Sequence, residues 1–129
     1  MRIGLILFIC LNIYLKNIAN FVLKQTDMKI IAFSGSNSST SINSQLVSAA
    51  SKLVESVEII DLRDYESPIY GIDLEKEVGM PDSIKSLVDK LSSANAYIIS
   101  TPEHNGLMPA FFKNILDWLS RTGEKPLTG

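Results

Sequence analysis

The chain has 129 residues, of which 46% are hydrophobic and 20% charged, and its formal net charge is −2. These values are typical of one globular domain, and they argue against nucleic acid as the main partner, because a phosphate backbone requires clustered Lys and Arg. The single cysteine, Cys10, excludes an internal disulfide and any Cys-rich metal site, and the single histidine, His104, excludes a metal site built from several histidines.

The first 27 residues differ in character from the rest. Ile3–Leu15 is apolar except for Asn12 and is shorter than the roughly 20 residues that a membrane span needs, so a membrane location is not expected. Three interpretations stay open: a start codon placed upstream of a true start at Met28, a signal or anchor segment, or an additional structural element. We therefore predict an extension over 1–27 and a domain over 28–129.

Three apolar segments of the domain predict buried strands, at Lys29–Phe33, Val57–Leu62 and Ala96–Ser100. The third is expected to be buried on both faces, because it is uncharged and rich in β-branched residues. Arg63–Met80 contains a proline and two glycines and is predicted to be a long loop with at most one helical turn. Its acidic run, Asp73–Glu77, is predicted to be solvated.

A helical pattern follows each strand, so the predicted order is β-α-β-α-β-α. Ser41 is the expected N-cap of the first helix, and Pro81 and Pro109 are expected to open the other two. The apolar positions at helical spacing are Ile42, Leu46, Ala49, Ala50, Leu53 and Val54 in the first helix, Ile84, Leu87, Val88 and Leu91 in the second, and Phe112, Ile115, Leu116 and Leu119 in the third. Trp118 and Phe112 are expected in the core or at a subunit interface. Lys113 and Asp117 are expected to form a pair one turn apart.

This alternation predicts an α/β fold with a parallel sheet, right-handed crossovers and helices on both faces. No fourth strand precedes Gly129. We therefore expect the first three βα units of a larger fold, truncated at the C-terminus, with the third strand left as an open edge.

Two polar loops leave the carboxyl ends of the first and third strands, where open parallel sheets bind ligands. Ser34–Ser41 is rich in hydroxyl groups and feeds a helix, so its hydroxyls and amides could surround a phosphate; an ordinary linker with a helix cap is the alternative. Thr101–Leu107 contains Asn105-Gly106, which can adopt positive φ and expose its amides to a flat heterocycle. An ordinary Asn-Gly turn is the alternative there.

These loops carry a family resemblance that runs from Met28 to Arg121. Ser34-Gly35-Ser36 with Ser41 and Asn43 resembles the phosphate loop of flavodoxin-like NADPH-dependent FMN reductases. The stretch from Ser100 through Pro102-Glu103-His104-Asn105-Gly106 and Pro109 to Lys113-Asn114-Ile115-Leu116-Asp117-Trp118-Leu119-Ser120-Arg121 is similar to their second signature.

The resemblance implies a flavodoxin-like fold that binds FMN and takes hydride from NADPH or NADH. It assigns the phosphate to the first loop and the start of its helix, and the isoalloxazine ring to the second loop. The implied cofactor-binding residues are Ser34, Ser36, Ser38, Ser41, Ile42, Asn43, Pro102, Glu103, His104, Asn105 and Gly106. The chain differs from the family at Ser38, where Arg is frequent, and at His104, where Tyr is usual. No catalytic side chain and no metal ligand is implied, because the flavin carries the chemistry.

The resemblance further implies a small electron acceptor (a quinone, azo compound, metal oxyanion or free flavin), a homodimer or homotetramer when full length, and a cytoplasmic location. Two alternatives remain: a flavodoxin-type electron carrier, and an inactive, truncated remnant of the reductase. Steady NAD(P)H consumption with a quinone would separate a reductase from a carrier.

Overall fold

A computed structural model of the chain describes residues 28–123 and Leu127. The three interpretations of Ile3–Leu15 concern residues outside that range. Within it, no helix combines the length and the apolar character that crossing a membrane requires.

The sheet has three parallel strands, β1 (Ile30–Ser34), β2 (Val57–Ile59) and β3 (Ala96–Ser100), in the order β2-β1-β3. All five residues of β1 are buried, because this central strand is paired on both sides and covered on both faces. This arrangement confirms the predicted α/β class with the first three βα units of a flavodoxin-like sheet. β2 is shorter than predicted, since Leu62 instead begins a 3-10 helix, Leu62–Tyr65.

The described residues contain four α-helices: α1 (Ile42–Ser51), α2 (Ile72–Val78), α3 (Asp82–Ser92) and α4 (Ala110–Leu119). The predicted N-cap of α1 is confirmed, because the Ser41 hydroxyl accepts a hydrogen bond from the amide of Ser44. Pro81 and Pro109 stand at the N-cap positions of α3 and α4. These two helices therefore begin one residue after the prolines that were expected to open them.

The inner face of α1 is not the one that its apolar spacing indicated. Val47 is 1% exposed, whereas Ile42 and Leu46 are 78% and 58% exposed. Leu53 and Val54 are exposed as well and lie beyond the end of the helix. The spacing predicted the helix correctly but not its orientation, because the orientation is set by packing against β1 and β3, which lie far along the chain or before it.

The main core lies on the opposite face of the sheet, between β1, α3 and α4. Ile31 and Phe33 of β1 pack there against the buried side chains of the two helices. The predicted stripe of α3 is confirmed, since all four of its residues are buried. Trp118 is 0% and Phe112 6% exposed, so the prediction of core positions is also confirmed. The Lys113–Asp117 ion pair forms as expected.

The prediction of an irregular segment over Arg63–Met80 is wrong in its second half, where α2 makes about two turns. Glu75 belongs to this helix and is half-buried: its carboxylate accepts a hydrogen bond from the Tyr70 hydroxyl at 3.0 Å and pairs with Arg121. These contacts stabilise a helix whose acidic sequence alone indicates a solvated loop.

In the described part of the chain β3 forms the open edge that was expected, without the burial on both faces that was expected for it in a complete sheet. Ile99 is 43% exposed, and the other four residues of the strand are half-buried. The reason is that β3 pairs with β1 alone among the described residues, so its outer side and part of each face remain accessible.

Candidate active site

The two polar loops lie side by side at the carboxyl edge of the sheet. β1 and β3 end in register, with Ser34 opposite Ser100. The amide of Gly35 donates to the carbonyl of Ser100 at 2.9 Å, which continues the strand pairing into the first loop. The Ser100 hydroxyl donates to Oδ1 of Asn43 at 2.6 Å, which ties the start of α1 to the same point. The fold therefore brings the two loops together at the edge where open parallel sheets bind ligands.

Gly35 allows this close approach. A Cβ added at this position would lie 2.6 Å from Oγ1 of Thr101 and 2.9 Å from Cδ1 of Phe112, both too close for a side chain. Gly35 can pack this closely against the side chains of Thr101 and Phe112 only because it has no side chain of its own.

The hydroxyls of the first loop form a regular ladder with its own backbone. The amides of Ser36, Ser38 and Thr40 donate to the hydroxyls of Ser34, Ser36 and Ser38 at 3.2, 3.2 and 3.3 Å. Each hydroxyl accepts a bond from the residue two positions later, which holds the loop in turns. The hydroxyl hydrogen of Ser36 remains able to donate outward, toward an anion, whereas the Ser38 hydroxyl also lies 3.4 Å from the hydroxyl of Thr40.

The first turn of α1 offers two further donors. Ser41 is 7% exposed and caps the amide of Ser44, and its carbonyl accepts from Gln45. Among the described residues, nothing accepts a hydrogen bond from the amides of Ile42 and Asn43. These two N–H groups and the positive end of the helix dipole suit an anion. Ile42 can take part only through its backbone, because its side chain points to solvent.

The second loop is a tight turn that presents its backbone to solvent. His104 and Leu107 exchange backbone hydrogen bonds of 2.8 and 3.2 Å. Between them, Asn105 and Gly106 have φ of 56° and 79°, which is the pattern of a type I′ turn. The prediction of positive φ is thus confirmed. In the described structure, no acceptor engages the amides of Asn105 and Gly106.

The side chains of the second loop are accessible as well. Glu103 and His104 are exposed and Pro102 is half-buried. Neither loop contains Lys or Arg. The binding of a phosphate here would therefore depend on neutral donors and the helix dipole. The binding of a flat ring would depend on the edge of the Asn105-Gly106 turn.

In the described part of the chain, the first loop contributes residues to a cleft on each side. One, of about 180 Å³, lies between α1 and the end of β2 and includes Ser34, Ser44 and Asp61. The hydrogen bond from Arg63 holds the pKa of Asp61 below its usual value. The other, of about 230 Å³, reaches from Asn37 to the first turns of α4. No residue of Pro102–Gly106 is among the described residues that line either cleft.

One wall of the second cleft, the segment Ser67–Tyr70, was not predicted from the sequence. It is held by side chains of α4, chiefly Asn114 and Trp118. A signal was present in the sequence, because a polar Asn stands one turn before Trp118 on the inward side of a helix. A polar side chain at such a position needs a buried partner.

Comparison with known proteins places this arrangement in a family. Residues 28–129 match the family described as NADPH-dependent FMN reductase, and the chain belongs to that family. It is 35% identical over 104 residues to an NAD(P)H-dependent FMN reductase of Pseudomonas aeruginosa, covering 80% of this chain and 56% of the relative. It is 31% identical over 104 residues to a quinone reductase of Escherichia coli, covering 79% of this chain and 55% of that relative.

A solved structure agrees with these relatives. The flavoenzyme NAD(P)H:(acceptor) oxidoreductase FerB of Paracoccus denitrificans matches 74% of this chain with a TM-score of 0.61 and 30% identity. The match covers 52% of the FerB chain. The chain thus spans about half the length of the relatives that it matches.

Proposed function

We propose that this chain carries the cofactor-binding half of an FMN-dependent NAD(P)H oxidoreductase, which passes hydride from NADPH or NADH through FMN to a small acceptor. The observation that carries the proposal is the meeting of two polar loops at the carboxyl edge of the sheet, joined through Gly35, Asn43 and Ser100. Family membership supports it, since relatives are named FMN reductase and quinone reductase.

The donors around the first loop fit a phosphate group. The amides of Ile42 and Asn43 lie at a helix N-terminus, and the hydroxyls of Ser36 and Ser38 can donate to the same anion. Ser34 and Ser41 support the loop from its buried side. Both are buried, and their hydroxyls orient the loop by accepting hydrogen bonds from backbone amides. We assign the FMN phosphate to this set.

The second loop would hold the ring of the cofactor. The exposed turn Pro102–Gly106 offers the amides of Asn105 and Gly106 to the polar edge of a heterocycle. His104 offers a flat side chain for stacking. When bound, FMN supplies hydride acceptance and release; the chain's own residues position the ring, and no side chain needs to act as acid or base.

A homodimer or homotetramer would complete the site from a second subunit. The support is exposed apolar surface: Leu107 of the second loop is 73% exposed, and Ile69, which lines the cleft beside the first loop, is 86% exposed. Large apolar side chains grouped at the edge of a site are typical of protein interfaces. The mass of the purified protein in solution, measured by light scattering, tests this part of the proposal.

The central test is a titration with FMN and with riboflavin, followed by flavin fluorescence and by thermal unfolding. We expect quenching and a raised melting temperature with FMN, and weaker binding of riboflavin, which lacks the phosphate. With FMN bound, the protein should oxidise NADPH or NADH steadily when benzoquinone is supplied. FMN binding without turnover would instead indicate an electron carrier. Absence of any FMN effect would refute the proposal.

A further inference from the structure

Thr101 is the first residue of the second loop, and it lies where the two loops meet. A Cβ added to Gly35 would come within 2.6 Å of the Thr101 hydroxyl oxygen and within 2.9 Å of Cδ1 of Phe112, so the Thr101 side chain packs directly on the Gly35 backbone. The preceding residue, Ser100, turns the other way and donates its hydroxyl to Asn43 of α1. Thr101 therefore places a hydroxyl at the junction of the loops, on the side of α4.

The Thr101 hydroxyl has hydrogen-bonding capacity to spare. Among the described residues it donates to the carbonyl of Pro102 at 3.4 Å, beyond the roughly 3.0 Å limit of a good O–H···O bond, and the residue is exposed. The neighbouring hydroxyls differ. Ser34 is 8% exposed and accepts from a backbone amide at 3.2 Å, and Ser100 donates at 2.6 Å. Of these three hydroxyls, that of Thr101 is the exposed one, and it can both donate to a ligand and accept from it.

The location of this hydroxyl matters because the two ends of FMN are assigned to different loops. The phosphate is assigned to the first loop and to the amides of Ile42 and Asn43, and the ring to the turn at Asn105-Gly106. The amide of Gly35 holds the loops in contact through its 2.9 Å hydrogen bond to the end of β3, immediately before Thr101. The part of the cofactor that joins the phosphate to the ring must therefore cross this junction.

The chemistry of that connecting part suits a threonine. In FMN it is the ribityl chain, a neutral chain that carries several hydroxyl groups. A ligand hydroxyl that leaves water without a new partner costs binding free energy, and the Thr101 hydroxyl can supply such a partner. Neither loop contains Lys or Arg, so no cation competes for the ribityl oxygens. A valine at this position would have the same branched shape but could not make the hydrogen bond.

We propose that Thr101 binds the ribityl chain of the cofactor through its hydroxyl, and that this contact makes the site selective for a flavin with a hydroxylated chain. The inference rests on the proposed function. It adds a binding residue that the family resemblance did not assign, and it states which part of the cofactor that residue recognises.

Fluorescence titration with three flavins tests the proposal. They are FMN, riboflavin, which lacks the phosphate, and lumiflavin, which carries a methyl group in place of the ribityl chain. Thr101→Val keeps the branched shape beside Gly35 and removes the hydroxyl. The dissociation constants of FMN and of riboflavin should rise by the same factor, roughly 10-fold, the scale of one lost hydrogen bond with a partner left unsatisfied. The dissociation constant of lumiflavin should not change.

Thr101→Ser is the matched control, because it keeps the hydroxyl and removes the methyl group. It should bind riboflavin as the wild type does. If Thr101 served only to pack against Gly35, Thr101→Val would bind normally and Thr101→Ser would be the weaker protein. An unchanged dissociation constant of riboflavin in Thr101→Val, or an equal rise for all three flavins, would overturn the inference. Thermal unfolding of the flavin-free variants shows whether each of them folds as the wild type does.

A chemical measurement locates the flavin without relying on affinity. Thr101→Cys, made in a Cys10→Ser background so that the new thiol is the only one, should react readily with a disulfide reagent when flavin is absent. Saturating FMN or riboflavin should slow that reaction at least 10-fold, and inorganic phosphate should not. Flavin binding that leaves the thiol unprotected would remove Thr101 from the ribityl chain while the proposed function stands. If the wild type binds none of the three flavins, both proposals fail.

Discussion

At the scale of single residues, the site depends on one position that cannot carry a side chain. The loops after β1 and β3 meet at Gly35, whose missing Cβ leaves room for Thr101 and Phe112. Phe112 is itself 6% exposed and packs edge-to-face on Phe33. A change at this glycine therefore affects the site and the core together.

Gly35→Ala should force the two loops apart, because the new methyl would sit 2.6 Å from Oγ1 of Thr101. Overpacking of this kind costs roughly 1–3 kcal/mol of stability, and the displaced loop should also weaken FMN binding. Chemical denaturation and an FMN titration measure the two effects. Gly123→Ala, where a Cβ meets nothing within 4 Å, should leave both unchanged. A Gly35→Ala protein with unchanged stability and unchanged FMN affinity would contradict this prediction.

The Asn43 side chain contacts Ser100 at the start of the second loop, and Asn43 is also assigned to the FMN phosphate. Its replacement should therefore affect both the contact between the loops and the binding of FMN. Asn43→Ala removes the acceptor of the Ser100 hydroxyl, and it should weaken FMN by roughly 1–3 kcal/mol, the range for hydrogen bonds to charged groups and unsatisfied buried partners. Riboflavin, without a phosphate, should lose less affinity than FMN, because for riboflavin only the contact between the two loops is disturbed. Gln45→Ala, at an exposed position on the same helix, is the control. Equal losses for FMN and riboflavin would move Asn43 away from the phosphate.

At the scale of elements, charged side chains link the strands to the helix that covers them. Glu58 of β2 accepts from Lys90 of α3 at 2.6 Å and pairs with Lys29, beside β1, at 3.1 Å. The hydrogen bond from Lys90, followed by that from Lys29, lowers the pKa of Glu58. One carboxylate thereby connects three elements at the amino-terminal edge of the sheet, opposite the site.

The sign of the resulting pH dependence follows from that lowered pKa. The stabilisation by the ion pairs of Glu58 is fully present above the usual glutamate pKa of 4.5. It is lost as the pH falls through the lower pKa that Glu58 has in the folded state. Glu58→Gln should therefore cost stability at pH 7 and much less at acid pH. High salt should shrink the difference, since the pair is partly exposed. Urea denaturation of both proteins at pH 7 and pH 3.5 checks this. An equal difference at both pH values would contradict it.

At the scale of the whole molecule, apolar surface remains along one flank. Ser44 of α1 faces β2 across the smaller cleft, so Ile42 and Leu46, about half a turn around the helix from it, lie on the side of β3. Ile99 of β3 is exposed in the same region of the molecule. An open strand edge beside exposed apolar side chains favours association with another polypeptide.

The 129-residue chain on its own should consequently self-associate. Leu46→Lys places a charge in the middle of the apolar flank, at a position already 58% exposed, and should increase the monomer fraction without lowering the helix content. Gln45→Lys adds the same charge outside the flank and should not. Light scattering after size-exclusion chromatography reports the mass, and circular dichroism the helix content. A monomeric, cooperatively folded wild-type chain would contradict this prediction.

The sequence by itself determined the features that depend on local chemistry. The order of the three βα units, the cap at Ser41, the positive φ of Asn105-Gly106 and the buried stripe of α3 were all predicted. Each follows from backbone preferences and periodicity within a few residues. The two polar loops of the site were predicted for the same reason. A buried strand followed by hydroxyl and amide side chains can be recognised from the local sequence, without knowing which strands lie beside it.

Only the tertiary structure decided which surfaces meet. It turned Val47 rather than Leu46 toward the sheet, stabilised α2 through Glu75 and Arg121, and fastened Ser67–Tyr70 to Asn114. In each case the partner lies far along the chain: Asn114 and Ser67 are 47 residues apart. A contact of this kind depends on the packing of α4 against the sheet, which no short stretch of sequence encodes. The wall that Ser67 and Ile69 give to the cleft of about 230 Å³ therefore became visible only in the folded molecule.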